Sequence, residues 1–329
     1  MGCGARTPID LVVAPVLDAS AEAGGKAPAG DGGSPVLDGG ASNDAGCGEP
    51  WVLFVVNDLE QGLYARRSDG TGGHAVPLPH VGPSFPWVSA DGAALVYTTE
   101  GGDNLYLHLF ADGSDQKIAT PSGTLSGFAA LSPDRTAIAY STNAGLEYAA
   151  LSPAGAGPAT LLVRATAVGV LGDSPSFPTF TSDGSRIIFG SHAAIGEVEV
   201  AAGRSSVLIE NPGDFVGVDN ASLSPDEQSL VAGVECPAGV YGLRIYPVAS
   251  LPAGDCTSGR LVVRFDPPGA APFYPTWGPS GLIAYPDGAG NIILVDDLGT
   301  RTRNLTADMD LRGVGPASMP AWAPACTHL

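Results

Sequence analysis

The sequence predicts a six-bladed β-propeller, an all-β ring in which the last strand completes the first blade. Three observations predict this fold. A short motif that ends in a large apolar residue recurs six times. The 46 Gly and 29 Pro are spread along the 329 residues, as in chains of many short strands joined by turns. The two ends of the repeated region also complement each other, because each lacks the part that the other supplies.

The recurring motif places a large apolar anchor residue just before a turn. Its six copies are segments 84–92, 128–134, 176–184, 220–226, 273–281 and 319–324. The predicted anchors lie 43 to 54 residues apart and are Trp87, Leu131, Phe180, Leu223, Trp277 and Trp322. A self-similar period of this length indicates a repeat architecture, and periods near 45 residues are typical of propeller blades.

Three further strands are predicted after each of the first five anchors. An Asp-Gly turn or its equivalent leads into an apolar second strand, as in 94–98 and 137–141. A third strand such as 104–109 follows in most units, and a polar turn then leads into a weaker fourth strand such as 116–120. Four short strands per repeat make one blade of a propeller.

The chain ends predict how the ring closes. Trp322 has no second strand after it, and 51–56 is a second strand with no anchor before it. We therefore predict that strand 320–324 is the innermost strand of the blade whose outer three strands begin at Trp51. This arrangement leaves no long unpaired edge between the first and last blades.

Four cysteines fit this topology as two disulfides. Cys47 precedes the second strand of the first blade and Cys326 follows its innermost strand, so we expect their Cα atoms to lie within disulfide range. Cys236 and Cys256 fall within the fifth blade, and their pairing requires the loop over 248–259 to fold back. Both pairings indicate an oxidising compartment.

Residues 1–46 have a different composition from the predicted propeller of residues 47–329. Met1-Gly2-Cys3-Gly4 has the form left when a lipoprotein signal is replaced by a start Met, so Cys3 is the predicted lipid-attachment residue. The alternative is an ordinary terminal cysteine. Residues 5–45 are mostly Ala, Gly, Asp, Ser and Pro, a composition too poor in apolar side chains to offset the entropy of ordering. We expect a disordered tether that holds the propeller at the periplasmic or outer surface of a membrane.

Composition excludes several classes of partner. With 15 Lys and Arg against 34 Asp and Glu, the net charge is −19, which repels phosphate backbones and anionic lipids. No run of about 18 apolar residues occurs that could span a bilayer. We therefore expect no nucleic-acid partner, and contact with the membrane only through a lipid at Cys3. We also expect no cofactor and a monomeric protein.

The repeats resemble the Pro-x-Trp-Ser-Pro-Asp-Gly units of TolB-type, or WD40-like, propellers of bacterial envelopes. The resemblance covers about residues 47–329 and rests on the six anchors and on the Asp-Gly turns at Asp91-Gly92 and Asp183-Gly184. Two copies depart from the pattern, because Arg135 and Glu227 stand where the turn glycine is expected. The resemblance implies a periplasmic or surface propeller that binds other proteins or wall components. Nothing here corresponds to the α/β domain that precedes the propeller in TolB.

Catalytic and metal-binding motifs are weak in this sequence. The turn carboxylates are better explained as acceptors for backbone N–H groups than as an active site. The five histidines have no metal-ligand spacing, and the segment 123–127 has its serine one place too late for a nucleophile elbow. Asp308 with Asp310, and Asp214 with Asp219, are loop acids that could hold Ca²⁺ but fit a solvated loop better. The Trp anchors fit packing between blades better than sugar stacking.

Two classes of function remain open on the sequence alone. The first is a non-catalytic scaffold that binds an envelope protein, a peptide or a glycan of the cell wall. The second is a hydrolase or lyase that acts on a glycan or peptide in the central channel. In either case we expect the ligand on the face that carries the loops between second and third strands and the connections between blades. The predicted residues of that face are Asn57, Asp58, Glu60, His80, Asp103, Asn143, Arg164, Asp173, His192, Asp219, Asn220 and Asp287.

Overall fold

The computed structural model describes residues 47–329 apart from short gaps in the connections between strands. The gaps are 57–61, 100–103, 119–124, 153–154, 166–174, 192–193, 211–217, 237–239, 252–253, 256, 266–273 and 310–316. The tether predicted over residues 1–46, with Cys3, lies outside the described residues. No helix in the described ranges is long and apolar enough to cross a membrane.

The described chain is built almost wholly from short strands. The strands in chain order are β1 (Trp51–Val56), β2 (Gly62–Arg67), β3 (His74–Ala75), β4 (Ser84–Val88), β5 (Ala94–Thr98), β6 (Leu105–Leu109), β7 (Ser114–Ile118), β8 (Leu125–Leu131), β9 (Ala137–Thr142), β10 (Gly145–Ser152), β11 (Gly155–Ala156), β12 (Thr160–Arg164), β13 (Ser176–Phe180), β14 (Arg186–Ser191), β15 (Ala194–Glu199), β16 (Ser205–Glu210), β17 (Val218–Leu223), β18 (Ser229–Cys236), β19 (Val240–Pro247), β20 (Gly254–Asp255), β21 (Arg260–Phe265), β22 (Thr276–Trp277), β23 (Ile283–Pro286), β24 (Ile292–Val295), β25 (Thr302–Asn304) and β26 (Ala317–Ala323). A single 3-10 turn, Val248–Ser250, is the one helical element among the described residues.

These strands form six sheets, antiparallel except where the short strand β20 runs parallel to β16, which confirms the predicted all-β propeller. Blade 1 has the order β26-β1-β2-β3, blade 2 the order β4-β5-β6-β7, and blade 6 the order β22-β23-β24-β25. Blade 3 starts β8-β9-β10, with β11 and β12 both paired to β10, blade 4 is β13-β14-β15-β16, and blade 5 is β17-β18-β19-β21. The first strand of each blade contacts its counterpart in the next, in the cycle β26, β4, β8, β13, β17, β22 and back to β26. These six innermost strands therefore line a closed ring.

The hydrophobic core of the propeller lies between the blades. Second strands such as Trp51–Val56, Ala94–Thr98 and Ala137–Thr142 are buried along their whole length. A continuous apolar run is what a strand needs when both of its faces are covered. Six buried clusters occur among the described residues, and each joins two consecutive blades. Each blade therefore contributes apolar side chains to two neighbouring interfaces.

The ring closes as the chain ends predict. Strand β26 pairs with β1 in an antiparallel register that joins Ala323 to Trp51 and Trp322 to Val52. Cys47 and Cys326 form a disulfide with a Cα–Cα distance of 5.0 Å. The disulfide lies at the end of blade 1 where its innermost strand meets its second strand. In every other blade a continuous turn connects these two strands. The predicted closure by the C-terminal strand is therefore confirmed.

One predicted anchor is wrong by a single residue. Val88 pairs with Leu95 as Leu131 pairs with Ile138, so Val88 is the structural anchor of blade 2. Trp87, which the sequence indicated, lies on the opposite side of the strand and packs partly buried toward blade 3. Residue size misled the assignment, because a one-residue shift along a strand changes the face that a side chain occupies.

The predicted disulfide in blade 5 stays a prediction. Cys236 ends β18, whereas Cys256 lies outside the described residues. Within the loop over 248–259, Gly254–Asp255 forms a short parallel pairing with Ile209 and Glu210 of blade 4.

Candidate functional site

The innermost strands contain β-bulges near one end of the ring. The pairing of innermost and second strands shifts register between Ser84 and Trp87, and again between Ser176 and Thr179. The residues inside these two bulges, Phe85 and Phe177, have φ angles of 51° and 53°. Left-handed backbone at a bulky residue is uncommon and costs about 1–2 kcal/mol. Bulges redirect side chains, and here they redirect two phenylalanines.

The same position recurs three residues before the anchor in all six blades. Its occupants are Phe85, Phe128, Phe177, Asn220, Tyr274 and Met319. Met319 also has a positive φ, 53°. Five of the six occupants are therefore aromatic or thioether side chains, and only blade 5 carries an amide.

These side chains meet on the axis of the ring. The ring centroids of Phe128 and Phe177 are 3.4 Å apart, and those of Phe177 and Tyr274 are 5.3 Å apart. Phe128 in blade 3 and Tyr274 in blade 6 belong to opposite blades, yet their centroids are only 6.5 Å apart. The Phe85 N–H donates to Met319 Sδ at 3.4 Å and joins blade 2 to blade 1. We call Phe85, Phe128, Phe177, Tyr274 and Met319 the channel cup.

A cavity of about 70 Å³ lies against the channel cup. Its walls include the prolines that follow four of the cup residues in sequence, Pro86, Pro178, Pro275 and Pro320. Ala221 and Ser222 line it on the side of blade 5. Thr276 also lines the cavity, and its Oγ1 is buried without a hydrogen-bond partner among the described residues. The cavity is therefore apolar, with one unpaired hydroxyl in its wall.

The channel cup lies near the end of the ring where second strands pass into third strands. Ser84, next to Phe85, pairs with Thr98, the last residue of β5. We call this end the channel face and the opposite end, which carries the turns between innermost and second strands, the turn face. The channel face is the one on which the sequence predicted a ligand.

The turn face is built from four copies of a self-contained hydrogen-bond network. In blade 4, Thr181 Oγ1 donates to Asp183 at 2.6 Å, and the Ser185 N–H donates to the same carboxylate at 2.9 Å. Thr181 Oγ1 also accepts from the Arg186 N–H at 3.1 Å. The hydrogen bonds from Thr181 and Ser185 lower the pKa of Asp183 to about 2. Ser89, Ser132 and Ser224 repeat this arrangement with their own turn aspartates, which confirms that these carboxylates serve the turns.

The two departures from the turn pattern link neighbouring blades. Arg135 and Glu227 take up φ angles of 58° and 55°, where the other turns have a glycine. Arg135 Nε lies 3.0 Å from the Asp91 carboxylate of blade 2. The Glu227 carboxylate accepts the Ser182 N–H of blade 4. At each of these positions the side chain gains a polar contact with the preceding blade.

Solved structures share this architecture. Over 84% of the chain, the fold matches TolB from Acinetobacter baumannii with a TM-score of 0.61 and 19% identity, covering 67% of that chain. It also matches a putative TolB from Agrobacterium tumefaciens with a TM-score of 0.56 and 18% identity, and the match covers 100% of that chain. The fold is that of a TolB-type propeller.

A further solved structure matches the fold of this chain equally well. A chain of a nidogen/laminin complex gives a TM-score of 0.63 at 11% identity, with 84% of this chain and 99% of that chain covered. No family model matches this chain, and no curated protein is significantly similar to it in sequence. At these identities the comparisons establish the propeller fold alone, so the function has to be argued from the site.

The residues predicted for the ligand-binding face are only partly described. Outside the described residues lie Asn57, Asp58, Glu60, Asp103, Asp173 and His192, and the side chains of Asp219 and Asn220 in β17. Among the four that are described, Asp287 accepts the N–H groups of Ala289 and Asn291 and so holds its own turn. Asn143 and Arg164 are exposed in blade 3. The structure does not bring these four side chains together.

His80 lies in the junction between blades 1 and 2. Its ring stacks on Tyr106 with centroids 4.0 Å apart, and Nε2 lies 3.6 Å from the carboxylate of Asp115. Asp115 also has His108 Nδ1 at 2.6 Å and accepts the Tyr97 hydroxyl. Burial, together with Asp115, raises the pKa of Tyr97. This network joins the connection between blades 1 and 2 to blade 2 and lies apart from the residues that line the cavity at the cup.

Blade 3 contains a similar buried hydrogen-bond network. Glu147 is buried and accepts the hydroxyls of Tyr140 at 3.2 Å and Thr142 at 2.9 Å. Burial and the charge of Glu147 raise the pKa of Tyr140. Across the described ranges, no group of His, Cys, Asp and Glu is placed to hold a metal ion. Of the loop acids considered for Ca²⁺, Asp308 pairs with Arg66 at 2.8 Å, while Asp214 and Asp310 lie outside the described residues.

Sequence reasoning missed the channel cup. The signal was present as an aromatic residue or Met before the proline in Phe85-Pro86, Phe177-Pro178, Tyr274-Pro275 and Met319-Pro320. The sequence analysis considered the tryptophan anchors instead. These pack between blades as expected, since Trp322 Nε1 of blade 1 donates to the Thr276 carbonyl of blade 6 at 3.0 Å.

Proposed function

We propose that this protein is a non-catalytic scaffold of the bacterial cell envelope that binds a segment of another protein in the channel cup. The observation that carries the proposal is the convergence of three phenylalanines, a tyrosine and a methionine on the ring axis at one face. Aromatic and methionine side chains are enriched in the buried centres of protein interfaces.

The backbone of the channel cup supports a role beyond folding. Phe85, Phe177 and Met319 all hold left-handed φ angles that glycine would adopt without strain. Strained backbone persists where the surrounding structure imposes it, and it is concentrated at functional sites. A partner side chain that enters the cup would gain apolar contacts from several blades at once.

The alternative function, a hydrolase or lyase that acts in the channel, lacks support at the cup. Tyr274 is the one titratable side chain among the five cup residues. General acid–base chemistry needs a proton donor or acceptor within hydrogen-bond reach of the substrate. The described cup offers a binding surface of aromatic rings and prolines instead. Cell-wall glycans and free peptides remain outcomes that the experiment below distinguishes.

Location in the envelope is part of the same proposal. The Cys47–Cys326 disulfide fits an oxidising compartment, and the predicted lipid-attachment residue Cys3 and the tether over residues 1–46 would place the propeller at a membrane surface. A lipid at Cys3 would add the mass of acyl chains to the N-terminal peptide of the mature protein, and a Cys3→Ser variant would move to the soluble fraction. An unmodified Cys3 peptide would contradict the anchor.

Site-specific crosslinking tests the binding proposal. A photoreactive phenylalanine analogue in place of Phe177 should crosslink a protein from envelope extract. The matched control carries the analogue at Leu298, an apolar residue that is 64% exposed in a turn of the turn face. A crosslinked protein at position 177 and none at 298 would support the proposal. Equal crosslinking at both positions, or crosslinking only to glycan, would contradict it.

A further inference from the structure

A second cavity lies between blades 1 and 6. Its walls come from the β1, β2 and β3 region of blade 1 and from Asp308 and Met309, which follow β25 of blade 6. Its described lining residues are separate from those of the cavity at the channel cup. Its volume of about 240 Å³ lies between the ~150 Å³ of a cavity that holds benzene and the roughly 300 Å³ at which sites for drug-sized ligands begin. One substituted six-membered ring therefore fits this space.

Part of the cavity wall is apolar. Phe54 is buried, and Tyr64 stacks on it with ring centroids 6.4 Å apart and an angle of 19° between the ring planes. Tyr64 is only partly buried, and like Met309 it packs against the apolar cluster that joins blades 1 and 6. The Tyr64 hydroxyl has no hydrogen-bond partner among the described residues. The ring can therefore cover an apolar face of a ligand while the hydroxyl bonds a polar group.

Another part of the wall is an ion pair in a fixed position. Arg66 Nε donates to the Gly70 carbonyl at 2.7 Å, and Nη1 donates to the Leu305 carbonyl at 2.8 Å. Both terminal nitrogens of Arg66 also donate to the Asp308 carboxylate, Nη2 at 2.8 Å. These bonds lower the pKa of Asp308 to about 2, so the carboxylate is ionised at neutral pH. Because its side chain is 69% exposed, Asp308 can accept further hydrogen bonds.

The ion pair limits the charge of a ligand. Arg66 and Asp308 neutralise each other, so an anion would have to displace Asp308 and approach a chain of net charge −19. A cation would lie beside the guanidinium of Arg66. A neutral ligand that both donates and accepts hydrogen bonds avoids both costs. Hydroxyl groups do this, because each has one donor and two acceptor sites.

We propose that this cavity binds a neutral pyranose ring, either a free sugar or the terminal ring of a glycan. One face of a pyranose presents C–H groups, which would cover the Tyr64 ring and Met309, and its rim of hydroxyls would accept from Arg66 and donate to Asp308. The site goes beyond the proposed function and does not depend on it. For a ligand of this size we expect a Kd on the order of 1 mM.

Saturation-transfer NMR on the full-length protein tests the ligand class. The probes are the methyl pyranosides of glucose, galactose, mannose and N-acetylglucosamine. Of the two comparison ligands, cyclohexanol keeps the ring but has a single hydroxyl, and methyl glucuronide adds a carboxylate. We expect at least one neutral pyranoside to bind and both comparison ligands to bind at least about threefold more weakly. Absence of transfer to all four pyranosides, or tighter binding of either comparison ligand, would overturn the proposal.

Protein variants locate the site. Gly73 lines the cavity and is exposed, and an added Cβ would meet only the side chain of Arg66, at an ordinary 3.6 Å. Gly73→Leu should therefore fill the cavity and weaken pyranoside binding at least about tenfold. The matched control is Gly157→Leu in blade 3, where a Cβ also has an ordinary contact, at 3.5 Å, and binding should be unchanged. Tyr64→Phe keeps the ring and loses the hydroxyl, so we expect about threefold weaker binding.

The outcomes separate this site from the channel cup. Phe177→Gly alters the cup alone and should leave pyranoside binding unchanged. If Phe177→Gly abolishes that binding, or if Gly73→Leu and Tyr64→Phe both bind as the wild-type protein does, the site between blades 1 and 6 is overturned and the proposal for the cup is not. A β-linked disaccharide distinguishes the two sources of the ring. Binding as tight as that of the monosaccharide supports the end of a glycan, and weaker binding supports a free sugar.

Discussion

Left-handed backbone occurs on both faces of the ring, but at different kinds of residue. On the turn face, Gly92, Gly184 and Gly281 take up φ angles of 70°, 69° and 78° without side-chain strain. Where Arg135 and Glu227 replace the glycine, each side chain bonds the preceding blade. On the channel face, Phe85 and Phe177 hold the same kind of backbone and contribute their rings to the cup. Departures from the repeat pattern therefore have different results on the two faces. On the turn face they add contacts between blades, and on the channel face they produce an open apolar surface.

The largest expected effect concerns the disulfide on the turn face. Cys326 stands four residues after its anchor, as the turn glycine Gly92 stands four residues after Val88. Cys47→Ser removes the covalent link of the one blade that is made from both chain ends, and loss of such a disulfide costs about 2–5 kcal/mol. We expect a lower unfolding midpoint, with hydrogen exchange rising first in Trp51–Val56 and Ala317–Ala323.

Two experiments serve as controls for the disulfide prediction. Cys236→Ser should change exchange within blade 5 and leave Trp51–Val56 protected. Peptide mapping of the native protein under non-reducing conditions should recover the Cys47–Cys326 link. Free thiols at both positions would remove the basis of the closure.

The next effect tests the packing of a turn-face glycine. An added Cβ on Gly278 would lie 2.3 Å from the indole of Trp322. Gly278→Ala therefore forces this indole, which belongs to blade 1, to move. Overpacking of this kind costs about 1–3 kcal/mol. The control is Gly157→Ala, where the new Cβ meets only an ordinary contact at 3.5 Å. Denaturant unfolding of the two variants should separate them, and equal stability would show that Trp322 has room to shift.

A smaller effect isolates the backbone contribution on the turn face. Gly184 has a φ of 69°, and a Cβ there would meet only Pro133 at 3.7 Å. Gly184→Ala should therefore cost about 1–2 kcal/mol through backbone strain alone. This value is the reference for the strain expected at Phe177, which has a φ of 53°. Denaturant unfolding measures it, and a neutral Gly184→Ala variant would mean that left-handed backbone is not strained in this ring.

The smallest effect is a dependence on pH. The pKa of Asp183 is lowered to about 2 by the hydrogen bonds that it accepts, against about 3.9 in an unfolded chain. Its contribution to stability is therefore present above about pH 4 and is lost as the pH falls toward 2. Asp183→Asn should have a smaller change in unfolding midpoint over that range than the wild-type protein. Asp297→Asn, which changes an exposed acid in a different turn, should follow the wild-type curve.

The fold was predictable because its signals are local and repeated. The anchors, the turn aspartates and the chain ends together specified six blades and the closure by β26, and the position of Cys47 and Cys326 specified the disulfide. Each of these signals depends on residues that lie within one blade of the final structure. Six similar repeats also allow one weak copy to be recognised from the others.

The channel cup was not predictable because it depends on β-bulges. The extra residue in each bulged strand turns Phe85 and Phe177 toward the axis. No hydrophobic spacing in the sequence marks where such an extra residue is inserted. The network of His80 with Asp115 was hidden for another reason. It joins the connection between two blades to the fourth strand of blade 2, and no sequence spacing indicates such a contact.

The most direct test of the central claim measures folding and binding in one variant, Phe177→Gly. Glycine relieves the left-handed backbone, which offsets the loss of a partly buried ring, so we expect the free energy of unfolding to fall by no more than about 1 kcal/mol. Binding of the partner protein that crosslinks at position 177 should weaken at least about tenfold, because the cup loses its central ring. A variant that unfolds with a loss of several kcal/mol and binds this partner normally would contradict the account, since the strained phenylalanine would then serve the fold and not the partner.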